Sequence, residues 1–341
     1  MTTKIAVIGT TGWGTTLGVM LAQQGMEVFL WARTEEEADC INRDRQNIRH
    51  LPNVPFPETM RATTSPSETL GGADLAILAV PVQSMRANLH SVKQQFDKST
   101  SLLTISKGIE IETTKRMSEV ISEELGADFT DRIAVLSGPN FAKEVNQGLP
   151  TATVIASAND EVARTMQQIV SSPNFRAYVN DDIIGVEFCG ALKNVVALAV
   201  GMSDGLGYGD NSRAALITRG LAEVARLGVA GGAKPLTFSG LAGIGDLVAT
   251  CTSQLSRNRF VGQELAKGRP LGEILSSMSG IAEGVDTTIA VLRLSRMLGV
   301  EMPIAEQVYH VLFEGLEAKR AVPALMEREL KHELDVEIPG F

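Results

Sequence analysis

The run KIAVIGTTGWGTTLGVMLAQQGMEVFLWAR, from Lys4 to Arg33, reads as a strand, a glycine-rich turn, a helix and a second strand. A strand that leaves through a helix and returns as a strand cannot form a hairpin with it. It commits the chain to parallel pairing and a right-handed crossover. The same alternation continues. Short β-branched runs at 27–31, 74–80, 102–106, 133–136 and 151–156 are separated by helical periods at 13–24, 34–44, 82–96 and 114–125. This pattern predicts a doubly wound parallel sheet over 1–181. Past Asp181 the alternation stops, and 183–201, 212–227, 260–267, 282–298 and 304–316 all carry the helical period. The expectation is an α/β domain over 1–181 followed by an all-α domain over 182–341. That division agrees with a chain of 341 residues at ~150 residues per domain.

Composition narrows the function classes. With 44% hydrophobic and 21% charged residues the chain reads as an ordinary soluble globular protein. Forty acidic against 31 basic residues give a net charge of -9, which argues against a nucleic-acid binder or an anionic-membrane binder, since both need a basic face. Cys40, Cys189 and Cys251 are odd in number and form no CxxC, so neither a disulfide framework nor a thiolate zinc site is expected. His50, His90, His310 and His332 lack ligand spacing, and no metal site is expected. MTTKIAVIG enters a strand at once rather than a signal-type apolar region, and no long apolar run lacks a polar break. A cytoplasmic location without stable membrane insertion is the expectation.

The first turn carries a shifted G-x-G-x-x-G pattern, the mark of a dinucleotide-binding (Rossmann) turn when it joins a strand to a helix. Gly9 makes the turn off the strand and Gly14 lets the helix pack on it. The middle glycine falls on Thr11, with an additional Gly12 behind it. A side chain at Thr11 would crowd a pyrophosphate, which shifts close backbone approach to the amides of Gly12 and Trp13 at the helix start. At the end of the second strand, where NAD-binding domains place Asp or Glu about 20 residues on, the sequence is Trp31-Ala32-Arg33. A guanidinium suits a 2′-phosphate, so Arg33 favours NADP or tolerance of both cofactors. The competing reading is a solvated charge opening the next helix beside Glu35 to Glu37.

Four later segments place polar groups where chemistry is done. LLTISKGIE sets Lys107 at the carboxyl end of a buried strand. IAVLSGPNFAKEV runs strand, turn, helix, with Gly138 and Asn140 exposing amide donors around Pro139. In VEFCGALKNVVALAVG the polar residues are Glu187, Lys193 and Asn194. A lysine in the middle of such a helix is costly unless paired or functional, and burial beside another cation would lower its pKa toward the range of acid/base catalysis. A snorkelling lysine at a domain junction is the plain alternative. Finally, LAGIGDLVATCTSQLSRNRFVGQELAKG puts Asp246 and Thr250 four apart on one face, then Ser256 as an N-cap with Arg257 and Asn258 at a positive helix end. Those are the ingredients of a phosphate site, or of a capped helix with two surface arginines.

In combination, GWGTTLG, LWAR, AVPVQSMR, SKGIE, SGPNFAKEV, GALKNVVALAVGMSDGLGYGDNSRAALITRGLAE, GLAGIGDLVATCTSQLSRNR and AEGVDTT resemble, in order, the bacterial-type NAD(P)-dependent glycerol-3-phosphate dehydrogenase family. The match runs from residue 4 to about 290, and the two long strings are the specific ones. The resemblance implies an N-terminal Rossmann domain and an α-helical substrate domain. It also implies reversible reduction of dihydroxyacetone phosphate to sn-glycerol 3-phosphate with NADPH or NADH, for glycerophospholipid synthesis, by a homodimer. Carried over residue by residue, Lys193 is the proton donor and acceptor, and Lys107 touches substrate and cofactor. Gly138, Asn140, Asp246, Ser256, Arg257 and Asn258 bind substrate; Gly12, Trp13, Arg33, Ala142, Arg257, Ile281 and Glu283 bind cofactor. The departure is Gly9-Thr10-Thr11-Gly12, where the family usually has Gly-Ala-Gly-Ser. Other lysine-dependent reductases of β-hydroxyacid or ketopantoate type, or a nucleotide sensor without turnover, are the alternatives on the same architecture. The Ser256-Arg257-Asn258 helix start and the joint presence of Lys107, Lys193, Asp246 and Arg257 count against them. The tail from Ala321 to Phe341 reads as a solvated helix and a loose end.

Overall fold

The computed structural model describes residues 2–330, 332 and 333. The far end of the expected C-terminal tail, Lys331 and 334–341, lies outside the described residues. The chain divides into two compact units. One comprises Met1–Ser106 and Met117–Ile183, the other Lys107–Arg116 and Ile184–Phe341. The segment Lys107–Arg116 thus belongs with the helical unit, although in sequence it sits inside the stretch expected to form the sheet.

The first unit holds β1 (Lys4–Ile8), α1 (Gly12–Gln23), β2 (Glu27–Trp31), α2 (Glu35–Asp44), β3 (Met60–Thr63), α3 (Pro66–Leu70), β4 (Leu75–Leu78), α4 (Met85–Val92), β5 (Ser101–Thr104), α5 (Met117–Leu125), β6 (Ile133–Ser137), α6 (Ala142–Asn146), β7 (Thr151–Ala156), α7 (Asp160–Val170) and β8 (Phe175–Asn180). Its eight strands lie in the order β3-β2-β1-β4-β5-β6-β7-β8. All pair in parallel except β6 with β7, which are antiparallel where the sequence pattern implied continued parallel pairing. Along β1, Ile5 and Val7 enter one apolar cluster with Leu17 and Leu21 of α1, while Ala6 and Ile8 enter another with Met85 and Leu89 of α4. Strict alternation with both faces covered explains why the central strands read as unbroken apolar runs.

The second unit is helical: α8 (Ile183–Gly205), α9 (Asp210–Ala230), α10 (Asp246–Thr252), α11 (Arg257–Ala266), α12 (Leu271–Ser276), α13 (Gly284–Leu298), α14 (Pro303–Phe313) and α15 (Ala318–Met326). By length and composition α8 could cross a membrane, but 83% of its most apolar window is buried inside the protein. Glycines let α11 approach it closely. A Cβ on Gly201 would meet the Arg259 carbonyl oxygen at 2.1 Å, and one on Gly262 would meet that of Leu198 at 2.1 Å. Asp204, at the end of α8, fixes the crossing through Arg213 (Nε at 3.0 Å) and Arg259 (Nε at 2.8 Å).

Pro303 removes one donor from the first turn of α14, and the next two, Ile304 N–H and Ala305 N–H, donate to the buried carboxylate of Glu223 at 2.8 and 3.4 Å. Burial pushes Glu223 up to about 7, against the backbone hydrogen bonds and Arg226, which pull it down. A carboxyl group with a raised pKa keeps its proton in the folded chain after the unfolded chain has lost it. Its contribution to stability is complete below the unfolded value and disappears as pH rises through about 7. In urea unfolding, wild type should therefore lose more stability between about pH 5 and pH 8 than Glu223→Gln. Parallel pH dependences would reject this account.

Candidate functional site

The expected catalytic residues of the helical unit converge on one carboxylate. Asp246, at the first turn of α10, has a side chain only 2% exposed. Its Oδ1 accepts from Lys193 Nζ, and its Oδ2 accepts from Lys107 Nζ at 2.8 Å. Thr250, one turn along α10, accepts from Lys193 Nζ at 2.8 Å and donates to Asp246 Oδ1 at 3.3 Å. Lys193 is therefore not a snorkelling lysine: its ammonium is tied inside the unit. Burial drives its pKa down to about 8, with Asp246 opposing and Lys107 assisting. Burial alone would raise Asp246, but the two lysines outweigh it and hold the carboxyl below its ordinary value.

Lys107 reaches this cluster because its segment packs with the helices. Its carbonyl accepts from Asn194 Nδ2 at 3.4 Å, the carbonyl of Ile111 accepts from Arg293 at 2.8 Å, and Arg116 pairs with the buried Glu187 at 2.6 Å. Glu187, the third polar residue of the apolar helix, is thus part of this anchor.

The helix start at Ser256 forms as expected. The Ser256 hydroxyl caps α11 by accepting from Arg259 N–H at 3.3 Å. Asn258 donates to Asn194 Oδ1 at 2.9 Å and accepts from Gly284 N–H at 2.9 Å, so it joins α11, α8 and α13. Arg257 makes no direct hydrogen bond or ion pair among the described residues, but its guanidinium is enclosed enough that burial lowers its pKa, with the charge of Glu283 opposing. Gly280, with φ +115°, leaves it room: a Cβ there would lie 2.5 Å from Arg257 Nη1. Ile281 (45% exposed) and Glu283 follow on the loop before α13. The site list drawn from sequence omitted Thr250, Asn194 and Gly280. The first two were visible as polar residues in apolar helices, whereas nothing local marks Gly280.

In the sheet unit, Gly9 has φ +106° and a Cβ there would sit 2.8 Å from the Ala79 carbonyl oxygen; one on Gly14 would sit 2.5 Å from Ala79 Cβ. The turn is held against the end of β4. Thr11 does not crowd it: its hydroxyl donates to the Ala79 carbonyl at 2.9 Å and accepts from Gly14 N–H at 3.2 Å as the N-cap of α1. The Gly12 and Trp13 amides have no protein acceptor among the described residues, and Trp13 Nε1 is a buried donor without a partner. These groups fit a bound pyrophosphate and its neighbouring sugar. Arg33 is exposed just beyond β2. Gly138 has φ +151°, and Asn140 donates to Thr153 Oγ1 at 2.7 Å. Ala142 opens α6, which Asn146 ties to Thr16 of α1 at 2.7 Å.

A buried lysine with a pKa lowered to about 8 in one unit, and a turn suited to a dinucleotide in the other, fit the division of labour of a pyridine-nucleotide dehydrogenase. Residues 4–163 match the N-terminal domain, and 182–323 the C-terminal domain, of NAD-dependent glycerol-3-phosphate dehydrogenase. A Dehalococcoides mccartyi protein named glycerol-3-phosphate dehydrogenase [NAD(P)+] is 50% identical over 332 residues, covering 97% of this chain and 92% of that one. The protein of that name from Moorella thermoacetica is 49% identical over 98% of this chain and 99% of its own. The crystal structure of glycerol-3-phosphate dehydrogenase from Coxiella burnetii superposes with a TM-score of 0.91 at 39% identity, covering 96% and 99% of the two chains. The chain belongs to the NAD-dependent glycerol-3-phosphate dehydrogenase family.

Asp246 raises the Lys193 pKa and Lys107 lowers it. In Asp246→Asn the Lys193 value should fall below about 8, read by pH titration of labelled lysine in NMR. Loss of the buried partner should also cost about 3–5 kcal/mol of unfolding free energy. An unchanged or higher Lys193 pKa would contradict the cluster.

Proposed function

We propose that the chain interconverts dihydroxyacetone phosphate and sn-glycerol 3-phosphate with NAD(P)(H), with Lys193 as the proton donor and acceptor. The observation that carries this reading is a buried ammonium of pKa about 8, held between Asp246 and Thr250 in a helix that is otherwise apolar. The bound nicotinamide supplies or accepts the hydride at substrate C2.

The protein's own part is electrostatic and acid/base. As negative charge grows on the C2 oxygen, Lys193 transfers its proton there, and the Lys107 ammonium stabilises the charge before transfer. Asp246 stays ionised throughout, so it orients both lysines and does not compete for the proton. In the oxidation direction neutral Lys193 accepts the hydroxyl proton. Arg257, which makes no direct hydrogen bond or ion pair among the described residues, and the free amides at the start of α11 take the substrate phosphate, whose binding free energy is expressed away from the reacting carbon. Asn258 holds that helix start beside Asn194, the neighbour of Lys193. Gly138 and Asn140 in the sheet unit complete the proposed substrate set.

For the cofactor, Gly9, Gly12, Trp13 and Gly14 take the pyrophosphate and Arg33 a 2′-phosphate. Lys107, Ala142, Arg257, Ile281 and Glu283 complete the proposed cofactor set. NADPH is the favoured cofactor, with NADH tolerated. A role in glycerophospholipid synthesis, a cytoplasmic location and a homodimeric state belong to the same reading. They are supported by the family resemblance, and for the location by three free cysteines at Cys40, Cys189 and Cys251.

The direct test follows oxidation of NADPH and of NADH with dihydroxyacetone phosphate; absence of substrate-dependent oxidation with either would overturn the proposal. Lys193→Ala should lower kcat at least ~10²-fold. Because Lys193 must be protonated for reduction, the reductive kcat should decline as pH rises through about 8. A flat profile in that range, with chemistry rate-limiting, would remove Lys193 from the role.

A further inference from the structure

By sequence, the acidic residue that NAD-binding domains carry at the end of the second strand is replaced by Arg33. The structure supplies a carboxylate there by another route. Glu37, in the first turn of α2, folds back so that Oε1 accepts from Thr10 Oγ1 at 2.6 Å and Oε2 accepts from Arg33 N–H at 3.1 Å. Thr10 follows β1 and Arg33 follows β2. Those strands are neighbours, with Ile8 paired to Trp31. The carboxyl ends of adjacent parallel strands are where this fold holds the adenine ribose. We propose that Glu37 is a specificity-determining residue, one that favours NAD by accepting from the ribose 2′-hydroxyl and opposes the 2′-phosphate of NADP, against the pull of Arg33.

Thr34 caps α2 by accepting from the Glu37 N–H at 3.2 Å, so the cap uses the backbone of Glu37 and not its carboxylate. The carboxylate reaches past the cap, to the N–H of Arg33 just before it and to Thr10, 27 residues away in sequence. With one hydrogen bond to each oxygen, the carboxylate keeps acceptor capacity for a hydroxyl. A phosphate has no proton to give it and carries like charge. Arg33, by contrast, is exposed, and its guanidinium makes no hydrogen bond or ion pair among the described residues. The strand ends therefore carry a tethered anion and an untethered cation, which discriminate in opposite directions.

This inference rests on the reading of the Gly9–Gly14 turn as the dinucleotide site, and it is tested by binding alone. The cap uses the backbone N–H of residue 37, so Glu37→Gln removes the charge and keeps the cap. Calorimetric titration of the full chain with NADP+ and with NAD+ at low ionic strength gives the ratio of the two Kd values. The substitution should shift that ratio toward NADP+ by about tenfold, with the shift shrinking as salt is added. A ratio unchanged within about twofold in a variant that binds both overturns the inference and leaves the dinucleotide site standing. Failure of the wild type to bind either cofactor overturns both. Should Glu37→Gln not fold, Thr10→Val releases one carboxylate oxygen and leaves the cap intact; it should shift the ratio in the same direction, and no shift overturns the inference.

Discussion

The helical unit depends on keeping Asp246 ionised where water barely reaches. An isolated buried ion costs several kcal/mol even after the protein relaxes, and the cost is offset only when partners satisfy its lone pairs. Each Asp246 oxygen meets one ammonium, and Thr250 adds a donor to the oxygen that Lys193 occupies. Two cations against one anion leave an excess positive charge, and burial makes that excess unfavourable. Lys193 responds, because it is the more enclosed of the two lysines, with side-chain exposure of 10% against 17% for Lys107. A pKa of about 8 is thus first the consequence of burial, with Asp246 opposing it and the second cation, Lys107, adding to it. The imbalance that costs stability is also what readies the lysine to give up a proton.

Such a cluster requires groups far apart in sequence to be held within hydrogen-bond reach. Lys107 comes from a connection that leaves the sheet after β5 and packs with the helices before the chain returns to α5. The connection is pinned along its length by Asn194, Arg293 and the buried Arg116–Glu187 pair. On the other side, the absence of side chains at Gly201 and Gly262 lets α11 press against α8. Asn258 converts that close approach into a bond with Asn194. A Cβ on Gly284 would strike both the Asn194 carbonyl oxygen and Asn258 Oδ1 at 2.7 Å, so the relay also needs a bare backbone at the start of α13.

The parts legible in the sequence were those whose signal is local and periodic. The alternation of β1, α1 and β2, and the unbroken apolar period of α8, follow from burial on both faces or on all sides. Lys193 stood out against that background. β3 and β8 did not: β3 is four residues long, and β8 alternates buried and exposed positions through Phe175, Arg176, Ala177 and Tyr178. Both are terminal strands of the sheet, paired on one side only, where polar residues interrupt the apolar run. The antiparallel pairing of β6 with β7 was hidden because direction is set by the connection through α6, not by the strands. Thr11 looked obstructive in sequence because its rotamer is decided by Ala79, on a different strand end. The allegiance of Lys107–Arg116 to the helical unit arises likewise from contacts that no window of sequence contains.

Net charge shows how an average conceals a site. At -9 the chain should repel polyanions, and a uniform surface of that sign would also repel a sugar phosphate. The helical unit resolves this by scale. Lys107 and Lys193 share one carboxylate, and Arg257, opposed by the single charge of Glu283, begins the helix that Asn258 fastens beside Asn194. A Debye length of about 8 Å at physiological salt confines that positive region to ligands that reach it. A small dianion inside that distance meets ammonium and guanidinium groups before it meets the acidic exterior. A long polyanion lies mostly outside it and meets the overall charge. Under the proposed function, this separation of local from global sign is what a site for a small phosphate ester needs in an acidic chain, and it rests on two lysines being gathered by the buried Asp246 instead of being spread over the surface.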